Sequence, residues 1–406
     1  MTTPSDADAR SREPLVLNPY DWDFHEDPYP TYRRLREEAP VYYNAALDFY
    51  ALSRHRDVLE AFKDWETFSN RGGVALENTT DDVASVYFIL AMDPPRHHAM
   101  RGIIRKVFTP RRVAQLEAPL RRLCRQYIAA FPTDGAADFI EAFAGRIPMD
   151  IISEMIGVPD CDRDMIRSWA NTLIERVDGS PRIPAAAIDA SINLLGYFGT
   201  MVGERRRGTA AHDDLTTAVL DAELDGERLQ DADVVSFLFL MSVAGNETTA
   251  KLLANMLYWA DRNRPQWARV QGDPAMIPRW VEETLRYDNS TQILYRTTTR
   301  AITLHGVSIP ADKKVALLVG AANRDERVFL NPDRYDLGRD CKDSLSFGKG
   351  VHFCLGAALA RLEGHICMDE LFKAYRDFEV RHDGLSRVHS SNVRGFKHFP
   401  VVLHRR

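Results

Sequence analysis

Apolar residues recur at helical spacing through most of the chain, as in residues 116–130 and 151–158. Residues 31–38 and 57–63 read as shorter helices, the first capped by Thr31. Two β-branched and aromatic runs, 41–43 and 49–52, flank Asp48 as a hairpin, and 307–315 reads as another. The pattern predicts a mainly α fold with a small β portion. Gly179, Ser180 and Pro181 interrupt the helical pattern, which suits either a mobile lid or an ordinary surface turn. The longest predicted helix opens at Asp231 and is apolar almost all round to Ala244, so it belongs in the core. Its apolar run stops at Asn246 and Glu247, too early to span a membrane.

Within that helix Gly245, Glu247 and Thr248 are locally poor choices. Glycine weakens a helix, and a buried carboxylate costs several kcal/mol unless paired. A structural account pairs the glutamate and lets the threonine bond back to a carbonyl. A chemical account uses the adjacent acid and alcohol to hold water and relay protons. Thr248 lies one turn beyond Ala244 and shares its face.

Residues 347–361 carry the second signal. Phe347-Gly348-Lys349-Gly350-Val351-His352-Phe353-Cys354-Leu355-Gly356 is a glycine-punctuated loop followed at once by the helix formers Ala357-Ala358-Leu359-Ala360-Arg361. Cys354 is therefore predicted at a helix N-terminus, where free amides and the helix dipole favour thiolate, the form that ligates metal. Cys341 and Cys367 each lie thirteen residues away, so zinc-ligand spacing is absent, and a lone thiolate suits an axial haem ligand. Upstream, Asp93-Pro94-Pro95 fixes the start of a helix on which His97 and Arg101 share one face and suit a carboxylate. The basic run Arg101, Arg105, Lys106, Arg111 and Arg112 is either a solvated face or a dock for an acidic protein. Pro278 opens a further helix on which Glu283 and Arg286 can pair.

The chain of 406 residues has a net charge of −6, which gives no sign of a nucleic-acid partner. Five scattered cysteines argue against a disulfide framework and for a reducing, cytoplasmic setting. Residues 1–15 form a polar tail, expected to be disordered, without the apolar stretch of a signal peptide, so no membrane anchor is expected. Residues 16–406 contain no repeat or linker and read as one domain.

Taken together, these motifs resemble the cytochrome P-450 monooxygenases, specifically the soluble bacterial type, from about residue 16 to 403. The resemblance implies haem b (iron protoporphyrin IX) between the long central helix and the cysteine-loop helix. Cys354 would be the axial iron ligand, with Phe347, Gly348 and Gly356 shaping its loop. Ala244, Gly245, Glu247 and Thr248 match the oxygen-activation motif. His97, Arg101, Arg296 and His352 match contacts to the haem propionates. Glu283, Arg286 and Arg334 match a structural ion network. Phe88, Ile89, Val243, Ala244, Thr291, Gln292, Ile293 and Phe396 are the pocket candidates, mostly apolar. They suit a medium-sized lipophilic substrate such as a lipid, steroid, terpenoid or secondary metabolite. O2 is the implied co-substrate. The resemblance further implies that electrons come from NAD(P)H through a separate ferredoxin or flavodoxin with its reductase. A peroxide-driven peroxygenase of the same fold and a non-catalytic haem-thiolate gas-binding protein are the alternatives. The Glu247–Thr248 pair argues against both, because a proton relay serves O2 activation.

Overall fold

The computed structural model describes residues 14–77, 88–208, 213–224 and 226–406. The expected tail, up to residue 13, and the side chain of Phe88 lie outside the described residues.

Helix α1 (Tyr29–Glu38) leads into the strands β1 (Val41–Asn44) and β2 (Phe49–Leu52), then α2 (His55–Lys63) and β3 (Phe68–Ser69). A helical series follows: α3 (Arg96–Val107) and α4 (Glu117–Ala130), then the short strand β4 (Ala136–Asp138), α5 (Ile147–Ile156), α6 (Arg163–Ile174) and α7 (Ala185–Arg207). The central helix α8 (Asp231–Arg262) runs for 32 residues. After it come α9 (Ile277–Tyr287), β5 (Ile293–Thr298), β6 (Lys314–Leu318), α10 (Ala357–Ala374), β7 (Tyr375–Val380) and β8 (Pro400–Arg405). This is the mainly α architecture with a small β portion.

Five strands form one sheet in the order β1-β2-β6-β5-β3, and β7-β8-β4 form another. In the larger sheet β2 and β6 are parallel, Leu52 lying opposite Leu317, while the other pairs are antiparallel. Both faces of this sheet are buried. Phe49, Ala51, Ile293, Tyr295, Ala316 and Leu318 fill one core, while Tyr50, Leu52, Val315 and Leu317 fill another, as the two-residue pleat requires. The predicted 307–315 hairpin is resolved differently. Val307–Ile309 pairs backwards with Ile302–Leu304, and Lys314 already belongs to the sheet.

The largest core surrounds α8, which buries Val234, Phe237, Leu238, Leu252, Leu253 and Leu257 against α5, α6, α7, α9 and α10. Gly245 is explained by packing as well as chemistry. A Cβ there would sit 2.9 Å from Ile152 Cδ1 on α5, so the glycine allows the two helices to close. Arg324 lies between the rings of Tyr29 and Tyr287, 3.4 and 3.6 Å from their centroids, and fastens α1 to α9. Beside it the buried Asp288 carboxylate accepts from Tyr29 Oη (2.6 Å), Trp259 Nε1 (2.8 Å) and Arg394 Nε (2.8 Å).

Candidate functional site

The cysteine loop is closed on itself. Cys354 N–H donates to the Phe347 carbonyl (2.9 Å), and Gly348 N–H to that of Leu345 (2.8 Å). Gly348 and Gly350 take φ of 65° and 72°, the region that favours glycine. A Cβ on Gly350 would meet the Phe62 carbonyl oxygen at 2.5 Å, so α2 presses on the loop there. Gly356 has nothing within 4 Å of an added Cβ and leaves open space beside the start of α10. The Arg361 guanidinium lies over the Phe347 ring, 4.5 Å from its centroid.

Cys354 is open by surface area although densely ringed by protein atoms. Burial pushes its thiol up, while the amides of Gly356 and Ala357 and the charges of Arg101 and Arg361 pull it down. The net direction is upward because burial outweighs the helix-terminus amides, which pull toward thiolate as the sequence implies. A bound metal ion deprotonates a coordinating thiol outright.

Four cationic or donor side chains gather beside this loop. His97 is fully buried with both ring nitrogens unpartnered, and its ring lies 4.1 Å from that of His352, whose Nε2 is also buried and unpartnered. Burial, reinforced by neighbouring Arg101 and other cations, lowers His97 to about 4 and His352 to about 2. Arg101 donates to the Phe353 carbonyl. Arg296 is buried against Phe62, donates to the Tyr295 carbonyl (2.7 Å), and is lowered to about 10 by desolvation. Buried polar groups are normally hydrogen-bonded, so the orphaned nitrogens mark a place built for an anion.

On α8, Ala244 is exposed and Val243 and Thr248 half-buried in the middle of an otherwise buried helix. Thr248 Oγ1 donates to the Ala244 carbonyl (2.9 Å), and the Thr248 carbonyl accepts from Ser290 Oγ (2.6 Å). Glu247 points elsewhere. It is buried in an ion pair with Lys251 (2.8 Å), one turn along the same helix. The structural account of both residues is thus realised, and the Glu247–Lys251 spacing of four was the signal for it.

Glu283 and Arg286 form the expected buried pair, two bonds of 2.7 and 2.8 Å. Arg334 is not its third member. Arg334 is exposed, and Arg339 instead reaches Glu283 Oε1 (3.3 Å) while donating to the Arg334 carbonyl (3.0 Å). The Arg334 side chain follows an exposed turn and has no path inward. From this pair a chain of bonds reaches the cysteine loop. Arg286 donates to the Asn323 carbonyl (2.9 Å), and the Asn323 side chain accepts from Leu345 N–H and donates to Ser346 Oγ (both 2.8 Å).

The pocket candidates divide. Ile89 is buried in the main core, and Thr291 is half-buried and bridges to Val393. Ile293 packs with Tyr20 and Tyr295 in the core on the far face of the sheet, so the half-buried Leu294, on the Arg296 side of the strand, takes its place as a candidate. Gln292 is spent on structure: its Nε2 donates to the Asn289 carbonyl (2.7 Å), and its Oε1 fills the space beside Gly320. Phe396 is a core aromatic, packed on Tyr258 and Phe399 under the Arg387 guanidinium.

Residues 260–392 match the family model described as Cytochrome P450. The chain is 50% identical over 396 residues to "Putative cytochrome P450 123" of Mycobacterium tuberculosis (strain ATCC 25618 / H37Rv), covering 97% of this chain and 98% of that one. It is 36% identical over 388 residues to the "Vitamin D(3) 25-hydroxylase" of Pseudonocardia autotrophica, covering 94% of each. Its fold superposes with a TM-score of 0.87 on CYP109E1 from Bacillus megaterium, solved in complex with testosterone, at 26% identity over 94% of this chain and 98% of that one. The class defined by this fold and by these relatives is that of the haem-dependent monooxygenases. The chain belongs to the cytochrome P450 family. The family uses haem and O2, and the donor set here fits that group. The orphaned imidazole nitrogens and Arg296 suit carboxylates, and the Cys354 thiol is free and exposed.

Proposed function

We propose that this protein inserts one oxygen atom of O2 into a medium-sized lipophilic organic molecule, hydroxylating or otherwise oxidising it. The observation that carries the reading is the cluster of His97, His352, Arg101 and Arg296, with the imidazole nitrogens of His97 and Nε2 of His352 buried and unpartnered, beside an accessible Cys354. These four would hold the haem carboxylates, and Cys354 would be the axial ligand. When bound, the haem supplies O2 binding and reductive activation. The chain's own residues position and exclude. Ala244 and Val243 leave room for substrate above the helix, Thr248 holds a hydroxyl where water can be ordered, and Glu247 supplies protons. The apolar candidates Ile89, Val243 and Leu294 favour a lipophilic substrate of steroid-like size, as the names of the relatives suggest.

Electrons would come from NAD(P)H through a ferredoxin or flavodoxin with its reductase. Arg105, Arg111 and Arg112 are exposed near α3. A 530 Å³ groove behind the cysteine loop is lined by Arg279, Lys342, Lys349 and Arg361 among others. Acidic carriers suit such a surface. A cytoplasmic setting, in which five free thiols stay reduced, fits this reading.

The carbon monoxide difference spectrum of the dithionite-reduced holoprotein tests the assignment. A strongly red-shifted Soret band that vanishes in Cys354→Ser supports it, and a band without that shift sinks it. Faster turnover on peroxide than on carrier plus NAD(P)H would move the protein to the peroxygenases.

A further inference from the structure

Helix α7 carries more apolar surface than its own fold covers. It is long and apolar enough to cross a membrane, yet only 33% of its most apolar stretch is buried. It packs on α6 and α8 through Ala187, Ala190, Leu194, Phe198, Met201 and Val202. On the opposite side Ile188 and Ile192 stand 49% and 61% exposed. Gly196 and Gly199 follow them, and among the described residues nothing comes within 4 Å of a Cβ added to either glycine. Glycine weakens a helix, and no described neighbour in the fold uses the space that these two leave.

The outward residues fall on one line. Ala185, Asp189, Ile192, Gly196, Gly199 and Gly203 follow one another at intervals of four and three, the seam spacing of two packed helices. Two charges share that line. Asp189 and Arg207 are eighteen residues apart, which is five full turns, and both are exposed. Neither has an ion-pair partner among the described residues. The two arginines before Arg207 are spent within the chain, Arg205 on Asp214 (2.8 Å) and Arg206 on Asp231 (2.9 Å). The Arg207 guanidinium instead folds back along the seam, with Nη1 3.3 Å from where a Cβ on Gly203 would sit. The free cation therefore lies seven residues beyond Gly196, and Asp189 lies seven before it.

We propose that this face of α7 is an interface between two copies of the chain, packed antiparallel and crossing at Gly196. A two-fold axis there sets each Asp189 against Gly203 of the second copy, where the Arg207 guanidinium lies, so one contact supplies two identical ion pairs. Each Ile192 side chain enters the gap that Gly196, Gly199 and Gly203 leave on the other helix, and the glycines let the two backbones approach. The same charges argue against a bilayer as the cover. Asp189 would be withdrawn from water there without a cation, whereas a second copy of the helix brings one to it. One helix pair is a small interface, so the dimer is weak and concentration-dependent. It shares no residue with the haem site or with the basic groove behind the cysteine loop, and so stands apart from the monooxygenase reading.

Sedimentation velocity of the holoprotein at roughly 5 to 200 μM provides the test. The wild type is expected to pass from monomer to dimer across that range. Ile192→Glu should weaken association roughly tenfold or more, as should Asp189→Arg alone and Arg207→Asp alone. Asp189→Arg/Arg207→Asp, which reverses both charges, should restore the dimer. Recovery in the double variant is a result that a non-specific apolar contact would not give. A wild type that stays monomeric over the whole range overturns the proposal, and so does a dimer indifferent to Ile192→Glu and to the charge reversals. Flotation of the wild type with phosphatidylcholine–phosphatidylglycerol vesicles, lost in Ile192→Glu while the protein in solution remains a monomer, also overturns it and gives the face to a bilayer. The three substituted positions are exposed, and an unchanged circular dichroism spectrum and Soret band show that each variant keeps its fold. If Ile192→Glu does not fold, the charge reversals still decide.

Discussion

Glu283 collects more donors than its partner Arg286 announces. Besides the two arginine bonds it accepts from Arg339 Nε (3.3 Å), Asp336 N–H (2.9 Å) and the Cys341 thiol (3.4 Å). Removing one cationic partner leaves a buried carboxylate undersatisfied. Arg339→Met should therefore cost about 1–3 kcal/mol, whereas the exposed Arg334→Met should stay within about 0.5 kcal/mol. Urea midpoints of the two variants decide between them. The Glu283–Arg286 pair was legible because it is local. The third member lies more than fifty residues away, and two arginines on one loop cannot be told apart without the loop's path. Glu363 on α10 behaves differently. Burial raises its carboxyl from the ordinary 4.5 to about 8, partly offset by the Thr249 hydroxyl. The folded chain then holds a proton that the unfolded chain has lost between those values. Stability should therefore fall as pH rises from about 4.5 to about 8 and remain lower above it. Glu363→Gln removes that slope, and melting temperatures across the window in both proteins test it.

The loop before α10 makes different demands on its two left-handed glycines. An alanine at either position meets the cost of positive φ, about 1–2 kcal/mol. At Gly348 the added methyl would touch the Phe62 ring at 3.7 Å, ordinary contact, whereas at Gly350 it would strike backbone oxygen at 2.5 Å. Gly350→Ala is expected to lose most haem on purification and Gly348→Ala to keep most of it, read from the ratio of Soret to protein absorbance. The glycines were visible in the sequence, but which one is pressed by α2 was not. Strand β5 makes the same point. Its parity cannot be read from hydrophobicity, because both faces of the sheet are buried and every residue from Ile293 to Thr298 is at least half-buried. Ile293 was thus assigned to the pocket although Leu294 has that side. By contrast, α8 stood out with its start at Asp231 correct, since residues 234–244 run without a charged side chain directly after the acidic opening Asp231-Ala232-Asp233.

Across the whole molecule, the connection between α6 and α7 is fastened at several points. Arg176 pairs with buried Glu77 (2.6 Å) and donates its amide to the His389 carbonyl (2.8 Å), Gly179 N–H reaches Tyr20 O (2.9 Å), and Lys397 pairs with Glu175 (2.5 Å). Trp22 stacks on His389 with centroids 3.7 Å apart. The N-terminal segment, the 70s loop and the C-terminal loop thus meet at one seam. The break in the helical pattern predicted a turn here but none of its anchors, each of which is remote in sequence. If the seam opens for substrate, Glu77→Gln should speed dissociation of a bound lipophilic ligand roughly tenfold, about 1.4 kcal/mol. Stopped-flow displacement followed at the Soret band measures it, and an unchanged rate would mean that ligands leave by another route.

The parallel pairing of β2 with β6 also sets a timetable for synthesis. Leu52 leaves the ribosome about 265 residues before Leu317, its neighbour in the sheet. At roughly 5–20 residues per second that interval is on the order of 13–50 s. Throughout it the β1–β2 hairpin has an open edge, and its two apolar faces have only the early residues of α1 and α2, such as Leu35 and Phe62, to cover them. Nascent chains of this protein therefore pass through a long aggregation-prone window, and yield in a heterologous host should depend on chaperone supply more than on the stability of the finished fold.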